Sequence, residues 1–108
     1  MRKFLYFENS TSDVICVNVD HLAFIDGVDA NTVQFFFRSN DAVDFSGSVL
    51  VDITSGYSQA FIKAVIREIA SSRKSFILIA DDTNSKYLTT ASGGTTVAAT
   101  ACGTIALT

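Results

Sequence analysis

The amino-acid sequence predicts an α+β domain, in which a bent antiparallel sheet or partly open small barrel of six or seven strands packs against one helix. Three observations lead to this prediction. Several short stretches alternate with a period of two, as half-buried strands do. The stretch from Ser58 to Ser72 changes to helical spacing. The chain has 108 residues, 48% of them apolar, so residues 1–108 are expected to form a single domain around one core.

Two strands are predicted before residue 20. The sequence FLYF at Phe4–Phe7 is short and rich in aromatic residues, which favours a strand. The next candidate alternates, with Ile15, Val17 and Val19 on a wholly apolar face and Val14, Cys16 and Asn18 on the other. The second segment therefore has the pattern of a half-buried strand.

A β-hairpin is the strongest local prediction. Leu22–Ile25 and Thr32–Arg38 flank a cluster of Asp, Gly and Asn residues, in which Gly27 is expected to supply a positive φ. Alternation in the second arm predicts that one face is buried and that Phe36 lies on the wetter face. The buried face consists of Val33, Phe35 and Phe37.

A loop and a further strand are predicted after the hairpin. Residues 39–48 have the composition of a loop. The strand is predicted over 49–54, with Val49, Val51 and Ile53 on one face. With nine Phe and no Trp in the chain, the core is expected to consist of Phe packed against Val, Ile and Leu.

The predicted helix from Ser58 to Ser72 has an unusually wide apolar surface. One side carries Phe61, Ala64, Val65 and Ile69, and the apolar surface continues through Ile62, Ile66 and Ala70. The polar stripe contains Gln59, Lys63, Arg67 and Ser71. Because an ordinary surface helix has an apolar arc only slightly wider than 100°, both flanks are expected to be covered, by the sheet, the tail or another subunit.

The C-terminal part of the chain is apolar and then uncharged. Residues 75–80, SFILIA, predict a central strand, and residues 81–86 predict a turn. Lys86 carries the last charge, and the rest of the segment 86–108 is uncharged. Its end, TIALT at 104–108, is expected to be an edge or exchanged strand that pairs in the sheet of its own or of a neighbouring subunit.

The charge balance excludes two classes of partner. The net charge is −3 and the isoelectric point is about 4.8, whereas nucleic acids and anionic membranes bind positive surfaces.

The apolar stretch of MRKFLYF ends at Glu8, too early for a signal peptide, and no apolar run has the length of a membrane span. The protein is therefore expected in the cytoplasm or in a virion, with Cys16 and Cys102 as reduced thiols.

No catalytic, cofactor-binding or metal-binding set is predicted. His21 is the only histidine, and the spacing of Asp20 and Asp26 around it fits no calcium loop. Cys16 is expected to be a packed thiol within a strand. Because no nucleophile, base and orienting group occur together, the chain is not expected to be an enzyme.

The stretch GSVLVDITSGYSQAFIKAVIREIAS resembles the closing part of a pleckstrin-homology-like domain, in which a strand, a short break and an amphipathic helix cap a small barrel. The resemblance covers about Val14 to Ser72, with Phe61 where that family often has tryptophan. The family's basic inositol-phosphate loop is missing, so lipid-headgroup binding is not implied. The composition of ATACGTIALT is also similar to that of small proteins of tailed marine phages, which implies a role in assembly or decoration.

Two functions follow as hypotheses. The first is a non-enzymatic, self-assembling homo-oligomeric protein, a phage virion component, because monomers rarely expose large apolar patches. Its predicted interface comprises Ile62, Ile66, Ala70, Ile105 and Leu107. The alternative is a pleckstrin-like module that binds a peptide or small anion, and its predicted site comprises Lys63, Arg67, Arg73 and Lys74.

Overall fold

The computed structural model describes residues 3–38, 46–71 and 75–107. Within these ranges the chain forms one α-helix and nine strands in two sheets, one of which curls into a half-barrel. The elements are β1 (Phe4–Ser10), β2 (Asp13–Asn18), β3 (Leu22–Asp29), β4 (Thr32–Arg38), β5 (Ser46–Ile53), α1 (Ser58–Ser71), β6 (Phe76–Asp81), β7 (Lys86–Tyr87), β8 (Thr89–Ser92) and β9 (Thr95–Leu107). The α+β class is confirmed. The strands outnumber the predicted six or seven, partly because the predicted tail contributes the short strands β7 and β8.

The first sheet has the strand order β2-β1-β6-β7. β1 pairs with β2 in antiparallel fashion and with β6 in parallel fashion. The parallel pair departs from the antiparallel sheet that the sequence predicts. The reason is the long connection between them. The strands β2 to β5 and α1 intervene and return the chain to the end of the sheet at which β1 began.

The second sheet is antiparallel and has the order β3-β4-β5-β9-β8. β9 contains most of the uncharged tail and pairs with β5 of its own chain, with Ile105 opposite Val49. The inward side chains of β9 are buried at Val97, Ala99 and Cys102. The tail was expected to pair either in the sheet of its own chain or in that of a neighbouring subunit, and in the structure it pairs in the sheet of its own chain.

The predicted hairpin is confirmed as β3 and β4, but its turn differs from the prediction. Gly27 lies within β3 opposite Val33, and the strand continues to Asp29. The turn is formed by Ala30 and Asn31, and the Asn31 N–H donates to Asp29 Oδ1 at 3.0 Å. Gly27 is not among the described residues with positive φ, so its expected role in the turn is wrong.

The core lies between the two sheets and under α1, and in it Phe packs with Val, Ile and Leu, as predicted. Phe7 packs edge-on against Phe35 and Phe37, with ring centroids 5.0 and 6.0 Å apart. The fully buried large side chains are Leu5, Phe7, Val33, Phe35, Val49, Val51, Phe61, Val65, Ile79 and Val97. The predicted buried faces of β4 and β5 are therefore confirmed.

Some predictions fall outside the described residues. They include most of the predicted loop at residues 39–45 and the basic residues Arg73 and Lys74. Among the helices that the structure describes, none combines the length and hydropathy of a membrane span.

Candidate functional site

A groove of about 470 Å³ lies beside β6, and we call it the β6 groove. Its lining comes from α1, from β6 and from the chain that leads from β7 into β8. The lining residues include Glu68, Phe76, Leu78, Lys86, Tyr87 and Leu88. A volume of this size lies within the range of protein binding sites.

The β6 groove exists because β7 covers only the second half of β6. β7 pairs with β6 at Ala80 and Asp81, and the Leu88 N–H donates to the Ile79 carbonyl at 3.0 Å. Beyond this point the chain leaves the first sheet and enters β8 of the second sheet. The first half of β6 is thus left without a described strand on this side.

The backbone of this uncovered half points into the β6 groove. On the other side of β6, the Phe4 N–H donates to the Ser75 carbonyl at 2.8 Å. Because alternate residues of a strand direct their backbone groups to opposite sides, Phe76 and Leu78 direct their N–H and C=O groups away from β1. These two residues therefore form an open sheet edge.

The outward face of the first sheet is apolar, and we call it the aromatic face. Tyr6 and Phe76 pack together with ring centroids 5.2 Å apart. Phe76 is 49% exposed and Val14 is 44% exposed. The face comprises Phe4, Tyr6, Val14, Cys16, Phe76 and Leu78, which the strand registers place on the side away from the core. The open edge of β6 thus borders an exposed apolar surface.

Two residues of opposite charge line the β6 groove. Glu68 is in the last turn of α1, close in sequence to the start of β6, whereas Lys86 lies opposite Asp81 at the end of β6. Among the described residues, neither Glu68 nor Lys86 has an ion-pair partner. The lining of the β6 groove therefore includes one acidic and one basic side chain.

Two buried carboxylates lie opposite each other where β1 and β6 end. Glu8 is 7% exposed and Asp81 is 4% exposed. Glu8 accepts a hydrogen bond from the Tyr6 hydroxyl. Asp81 accepts from the Asn84 backbone at 3.2 Å and from the Asn84 side chain at 3.0 Å. Both carboxylates therefore have donors, as burial requires.

A third carboxylate connects the turn after β6 to the tail. Asp82 Oδ1 accepts from the Tyr87 hydroxyl at 2.8 Å and from the Cys102 N–H at 2.9 Å. Burial and the bond to Asp82 raise the pKa of Tyr87 to about 12. The hydrogen bond to Glu8 and burial raise the pKa of Tyr6 to about 12. Both phenols remain protonated donors at neutral pH, which suits a structural network better than proton transfer.

The described residues contain no group of three or more His, Cys, Asp or Glu side chains placed to hold a metal ion. His21 Nδ1 lies 3.2 Å from the Arg38 carbonyl. The sequence suggested that Cys16 is packed inside, but Cys16 is exposed on the aromatic face. Partial burial by its neighbours still raises the pKa of its thiol.

The predicted interface residues lie on α1 and β9 and differ in exposure. Ile62 and Ile105 are partly buried and pack against the core. Ile66 is 50% exposed, and Ala70 is exposed one helical turn further on. Leu107 pairs its backbone with Gly47, and its side chain lies outside the described residues. Ile66 and Ala70 remain as an accessible apolar flank of α1.

The structure brings two of the predicted basic residues together. Lys63 and Arg67 line a groove of about 210 Å³ between α1 and β8, which we call the α1–β8 groove. Gln59 and Ser92 also line it, and Arg67 Nη2 donates to Thr90 Oγ1 at 3.3 Å. The predicted polar stripe of α1 therefore faces this groove.

Sequence reasoning missed the open edge of β6. The apolar run SFILIA predicted a central strand, and β6 is indeed central, but only its second half has described neighbours on both sides. The open edge results from the short length of β7, which has only two residues, and no local pattern in the sequence indicates that length. The chain matches no protein-family model, no curated protein and no solved structure.

Proposed function

We propose that this protein is a non-enzymatic structural protein that assembles with copies of itself. The proposal is carried by the exposed apolar side chains on the outward faces of both sheets. Single exposed apolar residues are common on monomers. Here four exposed residues lie in strands, Val14, Phe24, Val28 and Phe76, and Ile66 lies on α1; each is 44–55% exposed.

Aromatic pairs distinguish these faces from scattered apolar residues. On the second sheet Phe24 stacks on Phe36 with ring centroids 4.5 Å apart, and on the first sheet Tyr6 packs against Phe76. Aromatic residues are enriched where protein surfaces meet. A domain with an aromatic pair on each outward face offers two surfaces, as assembly into rings or larger arrays requires.

The uncharged tail does not support this proposal, because β9 pairs with β5 of the same chain. Support comes instead from the outward faces and from the flank of α1 at Ile66 and Ala70. The compositional likeness to small phage proteins makes a virion component the specific form of the proposal.

Sedimentation velocity from low to high micromolar concentration tests assembly. We expect the weight-average mass to rise above the 11.6 kDa of one chain. Phe24→Ser and Phe76→Ser should each reduce it, because each removes an exposed aromatic side chain. Thr83→Ser, in an exposed turn, is the control and should not change it. A strict monomer throughout the range would contradict the proposal.

A second candidate is a pleckstrin-like module that binds a small anion or acidic peptide in the α1–β8 groove. The observation that favours it is the position of Lys63 and Arg67, one helical turn apart on the same groove. Titration with inorganic phosphate, followed by amide chemical shifts, tests it. Binding should be lost in Lys63→Glu/Arg67→Glu and kept in Arg38→Glu. Shifts that are equal in all three proteins would contradict it.

A further inference from the structure

We propose that Asn9 and Asp82 form a register lock for the end of β9, Thr104–Leu107, which we call the end segment. The lock holds a β-bulge that turns Ile105 towards the core. When the lock is broken, the end segment shifts by one residue along β5 and Ile105 turns outward. The lock itself is independent of the proposed function, whereas its effect on assembly rests on that proposal.

The bulge lies where β9 has one residue more than β5. Cys102 lies opposite Val51. Ile105 lies opposite Val49, so β9 advances three residues where β5 advances two. The two residues between Cys102 and Ile105 therefore share one partner, as in a β-bulge. The end segment begins inside this bulge.

The bulge decides which face Ile105 occupies. Successive strand residues point to opposite faces, so regular pairing would place Cys102 and a residue three positions later on opposite faces. In the structure Cys102 is 4% exposed, and Ile105 packs against the same core. The extra residue in the bulge therefore places both side chains inside.

Two side chains of the first sheet and its turn hold the bulge. Asn9 Nδ2 donates to the Gly103 carbonyl at 2.8 Å. The Cys102 N–H donates to Asp82 Oδ1 at 2.9 Å. β8 pairs with β9 only at Thr95–Ala98, so β5 is the one described strand that pairs with β9 on both sides of the bulge. The lock thus bonds backbone groups of β9 to the first sheet.

Both lock residues are held at the end of β1. Asn9 lies at a register shift between Glu8 and Ser10, an irregularity of the kind that redirects a side chain. The Asp82 N–H donates to the Glu8 carbonyl at 2.9 Å. The position of the first sheet therefore fixes the register of a strand in the second sheet.

A second register is available to the end segment. Without the bulge, regular pairing would continue from Cys102 and place Thr104 opposite Val49. Ile105 would then lie opposite Ser48, on the outward face. This register regains one cross-strand pair and exposes one apolar side chain. These terms are comparable in size to the two hydrogen bonds of the lock, so the lock decides between the registers.

The second register would enlarge an exposed aromatic surface. Ser48 lies opposite Phe36, which lies opposite Phe24. Ile105 would join this row beside the stacked pair of Phe24 and Phe36. If the outward faces carry assembly, as proposed above, the lock limits the apolar surface that is available for it.

Amide hydrogen exchange, followed by NMR, tests the lock. Asn9→Ala and Asp82→Ala should each raise the exchange rates of the Thr104–Leu107 amides about tenfold, because each removes one hydrogen bond from the bulge. Asn84→Ala is the matched control, since it removes a side-chain hydrogen bond to Asp81. It should change these rates less than about threefold. Native rates in either lock variant, or an equal effect in the control, would overturn the lock.

Deleting Gly103 tests whether Asn9 acts through the bulge. The deletion leaves one residue between Cys102 and Ile105, so regular pairing keeps both on the inner face. In this background Asn9→Ala should change the exchange rates of the end segment less than about threefold. Equal effects of Asn9→Ala in the native and the deletion background would show that Asn9 acts in another way.

Nuclear Overhauser contacts test the second register. In Asn9→Ala/Asp82→Ala we expect a contact between the Hα atoms of Val49 and Thr104, in addition to the contact between Val49 and Ile105. Circular dichroism confirms that the variant folds, and Asn9→Ala alone gives the same measurement if it does not. A contact to Ile105 alone would show that the end segment does not shift.

Sedimentation velocity separates the lock from the proposed assembly. At equal concentration Asn9→Ala/Asp82→Ala should have a higher weight-average mass than the native chain, and Phe24→Ser in the same background should remove the increase. If the register shifts without a rise in mass, the lock stands and its effect on assembly is wrong. If the lock is confirmed but neither protein exceeds the 11.6 kDa of one chain, the proposed function fails and the lock stands.

Discussion

Cys16 and Cys102 differ in the properties that control the reactivity of a thiol. Cys16 is exposed on β2, and burial by its neighbours raises its pKa. Cys102 is 4% exposed, and burial raises its pKa to about 12, with a further contribution from the Asp82 carboxylate. Since the thiolate is the reactive form, neither cysteine is activated as a nucleophile.

Iodoacetamide at pH 8 should therefore modify the native chain once, at Cys16, and more slowly than it modifies free cysteine. The folded Cys16→Ser variant should stay unmodified until denaturant exposes Cys102. Mass spectrometry over time measures both. Fast modification of Cys16 at neutral pH would instead revive the hypothesis of an enzyme.

The position of Cys16 also shows what alternation can predict for single residues. In β4 the outward face includes Gln34 and Arg38, so the pattern identified Phe35 correctly as buried. In β2 the wholly apolar face that the pattern identified is the inner one, with Val17 buried and Ile15 packed against the core. Cys16 lies on the opposite face, so the expectation that it is packed went against the alternation of its own strand.

Two glycines, one within β3 and one in the connection from β5 to α1, test the observed hairpin at the scale of elements. A Cβ at Gly27 would lie 3.5 Å from Ser58 Oγ, an ordinary contact, whereas Gly56 has φ +85° between β5 and α1. Gly27→Ala should therefore change the free energy of unfolding by no more than about 1 kcal/mol, in the stabilising direction. Gly56→Ala should destabilise by about 1 kcal/mol or more.

Urea unfolding followed by circular dichroism measures both variants, and each glycine is the control for the other. If Gly27→Ala cost as much as Gly56→Ala, Gly27 would have the positive φ that the sequence suggested and the turn at Ala30 and Asn31 would be wrong.

The elements that sequence reasoning located well are those with local signals. The helix from Ser58 and the arms of the hairpin follow from periodicity within one segment, and β6 follows from a continuous apolar run. The strands β7 and β8 are too short to show a period, so no local pattern predicted them separately. The open half of β6 was missed for the same reason, because it depends on where β7 stops.

At the scale of the whole molecule, the unpredictable features join segments that are distant in sequence. The parallel pairing of β1 with β6 places Glu8 opposite Asp81. The Asp82 carboxylate joins the turn after β6 to Cys102 in β9. No spacing rule connects these residues, since their contacts depend on both sheets being formed. The carboxylate network is therefore a property of the complete fold.

This network predicts how the stability of the whole domain depends on alkaline pH. Tyr6 and Tyr87 have folded-state pKa values of about 12 against an ordinary value of 10, and Cys102 about 12 against 9. A raised folded pKa contributes stability that is present below the unfolded pKa and is lost as pH rises towards the folded value. The free energy of unfolding should therefore fall as pH rises from about 9 to about 12.

Urea midpoints at pH values from 8 to 11.5 measure this fall. Tyr6→Phe/Tyr87→Phe should fall less steeply, because two of the groups that ionise on unfolding are gone, even if the lost hydrogen bonds lower its stability at pH 8. Tyr57→Phe is the matched control, since the Tyr57 hydroxyl lies 3.4 Å from Thr95 Oγ1 and not beside a carboxylate. An identical slope in the native chain and the double variant would show that the bonds to Glu8 and Asp82 do not link folding to the protonation of these phenols.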